Sequence, residues 1–352
     1  MPPLPRRKTI LCLALAGALA AAFPASLRAG PVLKIPTSLP EGDPRAGLLG
    51  EWTRELSRLT PWDASLEFLG PGAVAGARTA LAEPDGLTLG FLSYDEAVTR
   101  PLQDLAPYEA SELAPAVLFP SGAPILLYRG DGPQAPPPRL RPVPGTHARL
   151  LSPSLRPVPG PTLLALDALR GLGAAVSLRE PPRERGGGPA PAPDHAARER
   201  LWAACYLALE PGEFLALPYE GYAFLADAGL SPRAAMLLGD AGWGPGAAGG
   251  ASPWPRLPNL PDAPSFSDLG LRHRVREAFG FYYPAETSER LQEGVPLLVA
   301  WLASYSGASP SGLPFFVSGE TAGGDVARGL FEGEVEARLE LLRAFSLAGG
   351  GS

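Results

Sequence analysis

Between Ser65 and Leu92 the chain reads SLEFLGPGAVAGARTALAEPDGLTLGFL, and few folds accept it other than strand, glycine turn, helix, second turn, strand. Leu66 and Phe68 alternate with small or charged neighbours, as in a strand, and Gly70-Pro71-Gly72 then breaks it. From Ala73 to Ala82 the residues are small or helix-forming, with Gly76 as the only breaker. A helix starting there leaves the N–H groups near Gly72, Ala73 and Val74 without intrahelical partners, at the positive end of the helix dipole. Such a turn receives an anion, which makes Gly70, Gly72, Ala73 and Val74 candidate ligand contacts. Glu83-Pro84-Asp85-Gly86 next forms a turn, and Leu87 to Leu92 restarts a strand. The expected class is therefore α/β, with ligands at the carboxyl ends of parallel strands.

Other stretches repeat this logic. Val32 to Ile35 reads as the first strand, Thr37 to Gly42 as a loop, and Asp43-Pro44 as an N-cap followed by Pro at the first helical position. Leu48, Leu49, Trp52, Leu56 and Leu59 then recur at helical spacing. After the strand ending at Leu92, Ser93-Tyr94-Asp95 forms a third loop at the same edge; Tyr94 could donate to a ligand or pack on the rim. Ile125 to Tyr128 reads as a fourth strand, and Pro133 to Pro144 as an extended connector. Beyond it, a strand ends at Ser152, a loop spans Pro153 to Pro161, and a helix runs from Thr162 to Leu172. Arg156 could pair a second carboxylate or lie in solvent. A helix from His195 to Leu209 carries Arg198, read as a surface position. Phe214 to Leu217 and Ala234 to Leu238 are strands expected to return toward the first domain. Glu286 to Tyr305 and Asp325 to Phe345 are expected helices that buttress that domain.

Gly70, Gly72, Ala73, Gly76, Ala82, Pro84, Asp85, Gly86, Thr88 and Leu89, with Leu87 in place of a usual Tyr, resemble the second ligand loop of the Bug-type (TctC-like) periplasmic receptors of tripartite tricarboxylate transporters. Leu257 to Phe266 with Gly270 resembles that family's second signature, and Phe279 to Pro284 its aromatic stretch before a Pro. Order and spacing agree from about Val32 to Val295, while the middle, about Gly130 to Gly250, matches loosely. The resemblance implies a two-lobed periplasmic binding protein fold, type II-like, with a ligand cleft between lobes. It implies a first ligand loop at Pro40, Gly42 and Asp43, and a loop closing on the far end of the ligand at Ser152, Ser154 and Thr162; the strand-end position of Ser93 and Tyr94 adds a further candidate contact. Glu41 interrupts the family's glycine pair and would repel a carboxylate. Either its side chain turns to solvent, or the ligand is no plain dicarboxylate.

The amino end reads as an export signal. Arg6-Arg7-Lys8 precedes an apolar run from Ile10 to Phe23, and small residues follow it. Without residues 1–29 the chain has 26 basic and 36 acidic residues, a balance that excludes a nucleic-acid binder. Cys12 lies in the leader and leaves Cys205 alone, so an intrachain disulfide is not expected. No nucleophile elbow, P-loop, zinc-binding pair or HExxH motif is present, and Gly244-x-Gly246-x-x-Gly249 follows no strand. The expected organisation is a signal peptide at 1–29, one lobe from 30–130 with 240–352, and a second lobe from 131–239. The expected function is that of a monomeric periplasmic solute-binding protein, without catalytic residues, metal or cofactor. It would capture a small organic anion and deliver it to the membrane subunits of a tripartite transporter. A diverged binding-fold protein acting as a sensory or structural partner is the alternative.

Overall fold

Alternating burial in β1 (Val32–Thr37), where Leu33, Ile35 and Thr37 are all fully buried, sets the first strand into the middle of a sheet. The computed structural model describes residues 31–60, 62–70, 72–120, 124–129, 147–181, 195–238, 263–265, 267–271, 275–288 and 322–347. The leader, the Pro-rich connector, the Gly244 motif, residues 257–262 and nearly all of the helix expected over 286–305 lie outside them.

Helix α1 (Pro44–Leu59) begins where its sequence signature puts it. Asp43 has extended backbone, its side chain accepts from the Arg45 N–H, and Pro44 takes the first turn. Leu48, Leu49, Trp52 and Leu56 form its buried face against Leu33, Ile35, Phe91, Phe119 and Phe281. Trp52 stands 5.2 Å from Phe119 between ring centroids, and burying each such ring is worth about 2–3 kcal/mol. Strand β2 (Asp63–Phe68) pairs in parallel along the whole of β1, from Val32 opposite Asp63 to Thr37 opposite Phe68. Helix α2 (Val74–Ala80) returns the chain to β3 (Gly90–Ser93), which lies parallel to β1 on its other side. The first sheet is completed by β4 (Leu113–Pro120), β10 (Ala278–Pro284) and β11 (Ala322–Gly323), in the order β11, β4, β10, β3, β1, β2. Strand β10 is antiparallel to β3, with Phe279 opposite Ser93, so it starts at the edge where β3 ends.

The second sheet takes β5 (Ile125–Tyr128), β6 (His147–Leu151), β7 (Ala175–Arg179), β8 (Glu213–Leu217) and β9 (Ala234–Leu237), in the order β7, β6, β8, β5, β9. Expecting β5 within a lobe of residues 30–130 needs correction, because Ile125 to Tyr128 hydrogen-bonds to β8 and β9. The chain thus passes between sheets before Ile125, not near Gly130. Strands β8 and β9 likewise lie on either side of β5 and do not return to the first sheet. Their short apolar runs carried no partner information, which only pairing supplies.

Helix α3 (Gly160–Gly171) is buried from Gly160 to Leu169, as a helix with apolar residues all round must be. Helices α4 (His195–Leu207) and α5 (Tyr219–Asp227) cover the other face, packing Trp202, Cys205, Tyr222 and Leu225 against Leu215 and Leu217. The last helix, α6 (Gly324–Ala344), does more than buttress the first half. Its Ala327 and Phe331 join Tyr94 and Tyr282 beside the first sheet, whereas Leu341 and Leu342 pack with Leu163 and Leu166 of α3, beside the second.

Candidate functional site

Parallel pairing of β1 with both neighbours brings Thr37, Phe68 and Ser93 to one sheet edge, so the loops after them converge. In the second loop Gly70 has φ +74° and Gly72 φ +121°, conformations that side chains disfavour. A Cβ at Gly72 would meet nothing within 4 Å, so the loop's surface there is open. The first turn of α2 closes with Ala77 N–H donating to Ala73 O at 2.9 Å, which leaves the N–H groups of Val74, Ala75 and Gly76 ahead of it. Ala73 is half-buried and the Val74 side chain is exposed.

The first loop carries the strongest charges. Pro40 is half-buried, Gly42 exposed and Asp43 buried, while Glu41 turns to solvent, one of its two expected outcomes. Arg45 grips Asp43 twice, Nε to Oδ1 at 2.7 Å and NH2 to Oδ2 at 2.6 Å, with its guanidinium 5.2 Å over the Phe279 ring. From the second-sheet half, Arg198 of α4 approaches Asp43 at 3.6 Å, and Glu220 of α5 lies 3.9 Å from Arg45. Burial by itself raises the Asp43 carboxyl, yet the Arg45 guanidinium and N–H hold it below its ordinary value. Burial, reinforced by the like charge of Arg45, lowers Arg198. Reading Arg198 as a surface position is corrected by this: its side chain is 26 % exposed and belongs to an ion-pair set spanning both halves.

Ser93 ends β3 in a capping box. Its N–H and hydroxyl donate to Glu96 Oε2, both at 3.2 Å, and Glu96 N–H donates back to Ser93 Oγ at 3.4 Å. The Ser-x-x-Glu spacing was the sequence signal for Glu96, which had not been singled out. Tyr94 does not present its hydroxyl at this edge. Its ring is wholly buried, 6.2 Å from Phe331 between centroids, with the Arg338 guanidinium 5.5 Å over its face. The helical turn after Ser93 rotates it inward, where Phe331 and Arg338 of α6 cover it.

Arg338 anchors a second charged hub beside this edge. Fully buried, it pairs with Glu334 at 2.7 Å, Glu277 at 2.6 Å and Asp95 at 3.3 Å, and donates to Thr99 Oγ1 at 2.6 Å. Glu277 reaches the second-sheet half, since a Cβ at Gly160 would collide with its carboxylate. Burial pushes Glu277 from 4.5 up to about 8, against the pull of Arg338. The folded protein therefore holds an extra proton across that interval. The stability this proton contributes is complete below about pH 4.5 and lost as pH rises through 8. Glu277→Gln, neutral throughout, gains stability over the parent at pH 8.5 compared with pH 5 in urea melts; an equal difference at both values contradicts this.

In the second-sheet half the expected far-end contacts are turned to one another. Ser152 Oγ donates to Ser154 O at 2.5 Å and stands 3.3 Å from Thr162 Oγ1, with Ser152 and Thr162 wholly buried. Their loop docks on the first half through Gln103, whose Oε1 accepts from Val158 N–H at 2.8 Å. Arg156 is exposed and donates to Gln103 O at 3.2 Å, so it braces this junction.

No family model and no curated protein matches the sequence. Solved structures do match the fold. A TctC solute binding protein from Polaromonas aligns with TM-score 0.60 at 12% identity, over 90% of this chain and 99% of its own. The periplasmic binding protein BugD aligns with TM-score 0.57 at 14% identity, over 91% and 99%. An R. palustris protein solved with adipate aligns with TM-score 0.58 at 12% identity, over 91% and 98%. The chain thus has the two-sheet α/β fold of periplasmic binding proteins, and these neighbours are binding proteins.

Proposed function

We propose that this chain is a periplasmic solute-binding protein of the Bug/TctC type, which captures a small carboxylate and presents it to the membrane subunits of a tripartite transporter. One observation carries the reading most. Three strand-end loops converge opposite Arg198 and Glu220, which come from helices α4 and α5 of the second-sheet half, as closure on a small ligand requires. The adipate bound to the R. palustris neighbour supports a carboxylate, and the leader at residues 1–29 supports export. The two sheet-bearing halves act as lobes, the protein works as a monomer, and it catalyses no reaction. Gly70, Gly72, Ala73 and Val74 supply backbone donors to the carboxylate, while Pro40, Gly42, Asp43 and Ser93 shape the adjoining wall.

A thermal-shift screen of the mature chain against mono-, di- and tricarboxylates tests this. A ligand at a hundredfold its dissociation constant adds about 2.7 kcal/mol of stability, so at least one carboxylate should raise the melting temperature by roughly 5 °C or more. A screen in which no carboxylate does so, while sugars or cations do, contradicts the reading.

A further inference from the structure

Glu96 is a buried acid at the strand-end edge, 5 % exposed, and half of its carboxylate is unused. Oε2 serves the capping box with Ser93, and the Ser38 hydroxyl donates to the same carboxylate. Oε1 has no hydrogen-bond partner. A buried carboxylate oxygen in that state has lost the hydrogen bonds water would give it, which a ligand donor would restore. Ser38 follows β1 and Ser93 ends β3, so this oxygen stands among the converging loops, within electrostatic reach of Arg45 and Arg198.

The charges point the same way. Among the described residues, Arg45, Arg100 and Arg198 act on Asp43, Glu96 and Glu220, three cations against three carboxylates. Asp43 already holds Arg45 in two hydrogen bonds and draws in Arg198. Among the described residues the cleft therefore has no surplus positive charge to offer a dianion, and a second carboxylate brought beside Glu96 would be repelled.

We propose that the cleft takes an amphoteric ligand, a carboxylate that also bears a protonated amine, with Glu96 Oε1 accepting from that amine. The inference rests on the carboxylate reading above and narrows its ligand class. It also accounts for a carboxylate kept where burial raises its proton affinity, since an ammonium in contact returns it to the charged form.

Calorimetry on the mature protein with matched pairs tests it: L-aspartate against succinate, L-glutamate against glutarate, and 4-aminobutyrate against butyrate. In at least one pair the aminated member should bind tenfold or more tightly than its partner. Glu96→Gln keeps the capping box, because glutamine serves there as well, and should erase that preference by weakening the aminated member and relieving the repulsion of its deaminated partner. Deaminated members binding as well as or better than aminated ones overturns the amphoteric ligand and leaves the carboxylate reading standing. A preference that survives Glu96→Gln overturns the role of Glu96. Absence of binding by every carboxylate overturns both readings.

Discussion

Gly72→Asp removes carboxylate binding, with affinity falling a hundredfold or more, while Gly72→Ala retains most of it. Both variants put a side chain at φ +121°, so they share a backbone strain of about 1 kcal/mol or more, and they differ chiefly in the charge placed before the α2 donors. A Cβ at Gly72 meets no neighbour within 4 Å, which keeps the Ala variant free of collision. Calorimetry with a carboxylate that binds the parent reads the effect, and urea melts confirm that both variants fold. Equal affinity of the two would make the loop a structural turn and move the anion elsewhere.

Arg338→Ala is expected to cost about 3–5 kcal/mol, the largest stability loss of any charged position described here. The guanidinium is 0 % exposed and holds both Glu334, at 2.7 Å, and Glu277, at 2.6 Å. Removing it leaves two buried acids facing each other, and melting should occur roughly 10 °C lower. Arg58, 68 % exposed and paired with Glu55, is the contrast. Its replacement by Ala should leave the midpoint essentially unchanged, as solvent screens such pairs. A loss below about 1 kcal/mol at Arg338 would show that the hub relaxes or takes up protons without consequence.

The parts of this fold that could be read in advance are those that short-range chemistry decides. Asp43-Pro44 announced α1 because a cap and a fixed φ act within one turn. The Pro84-Asp85-Gly86 turn was legible for the same reason, and Asp85 Oδ1 accepts from Leu87 N–H at 2.8 Å. Gly70 and Gly72 declared their positive φ by being glycines beside Pro71. What escaped depends on distant partners. Nothing local to Ile125 to Tyr128 tells a strand which sheet to join, and only its pairing with β8 and β9 does so. Arg198 looks like any arginine on a polar helix until α4 is laid against Asp43. Tyr94 adjoins a true edge residue, Ser93, yet one step of helical rotation carries its ring under Phe331. Glu96 alone had a sequence signal within reach, the capping box, which explains half of its carboxylate and not the other half.

The account stands on a ligand held between the three strand-end loops and the helices of the second sheet, and a crystal structure with the tightest-binding carboxylate tests that most directly. It should show the ligand's carboxylate oxygens within hydrogen-bonding distance of the backbone N–H groups around Gly72 to Gly76, with Asp43, Arg45 and Glu96 on one side of the molecule and Arg198 on the other. A ligand bound away from these loops, with the Gly72 turn facing only solvent, would contradict it.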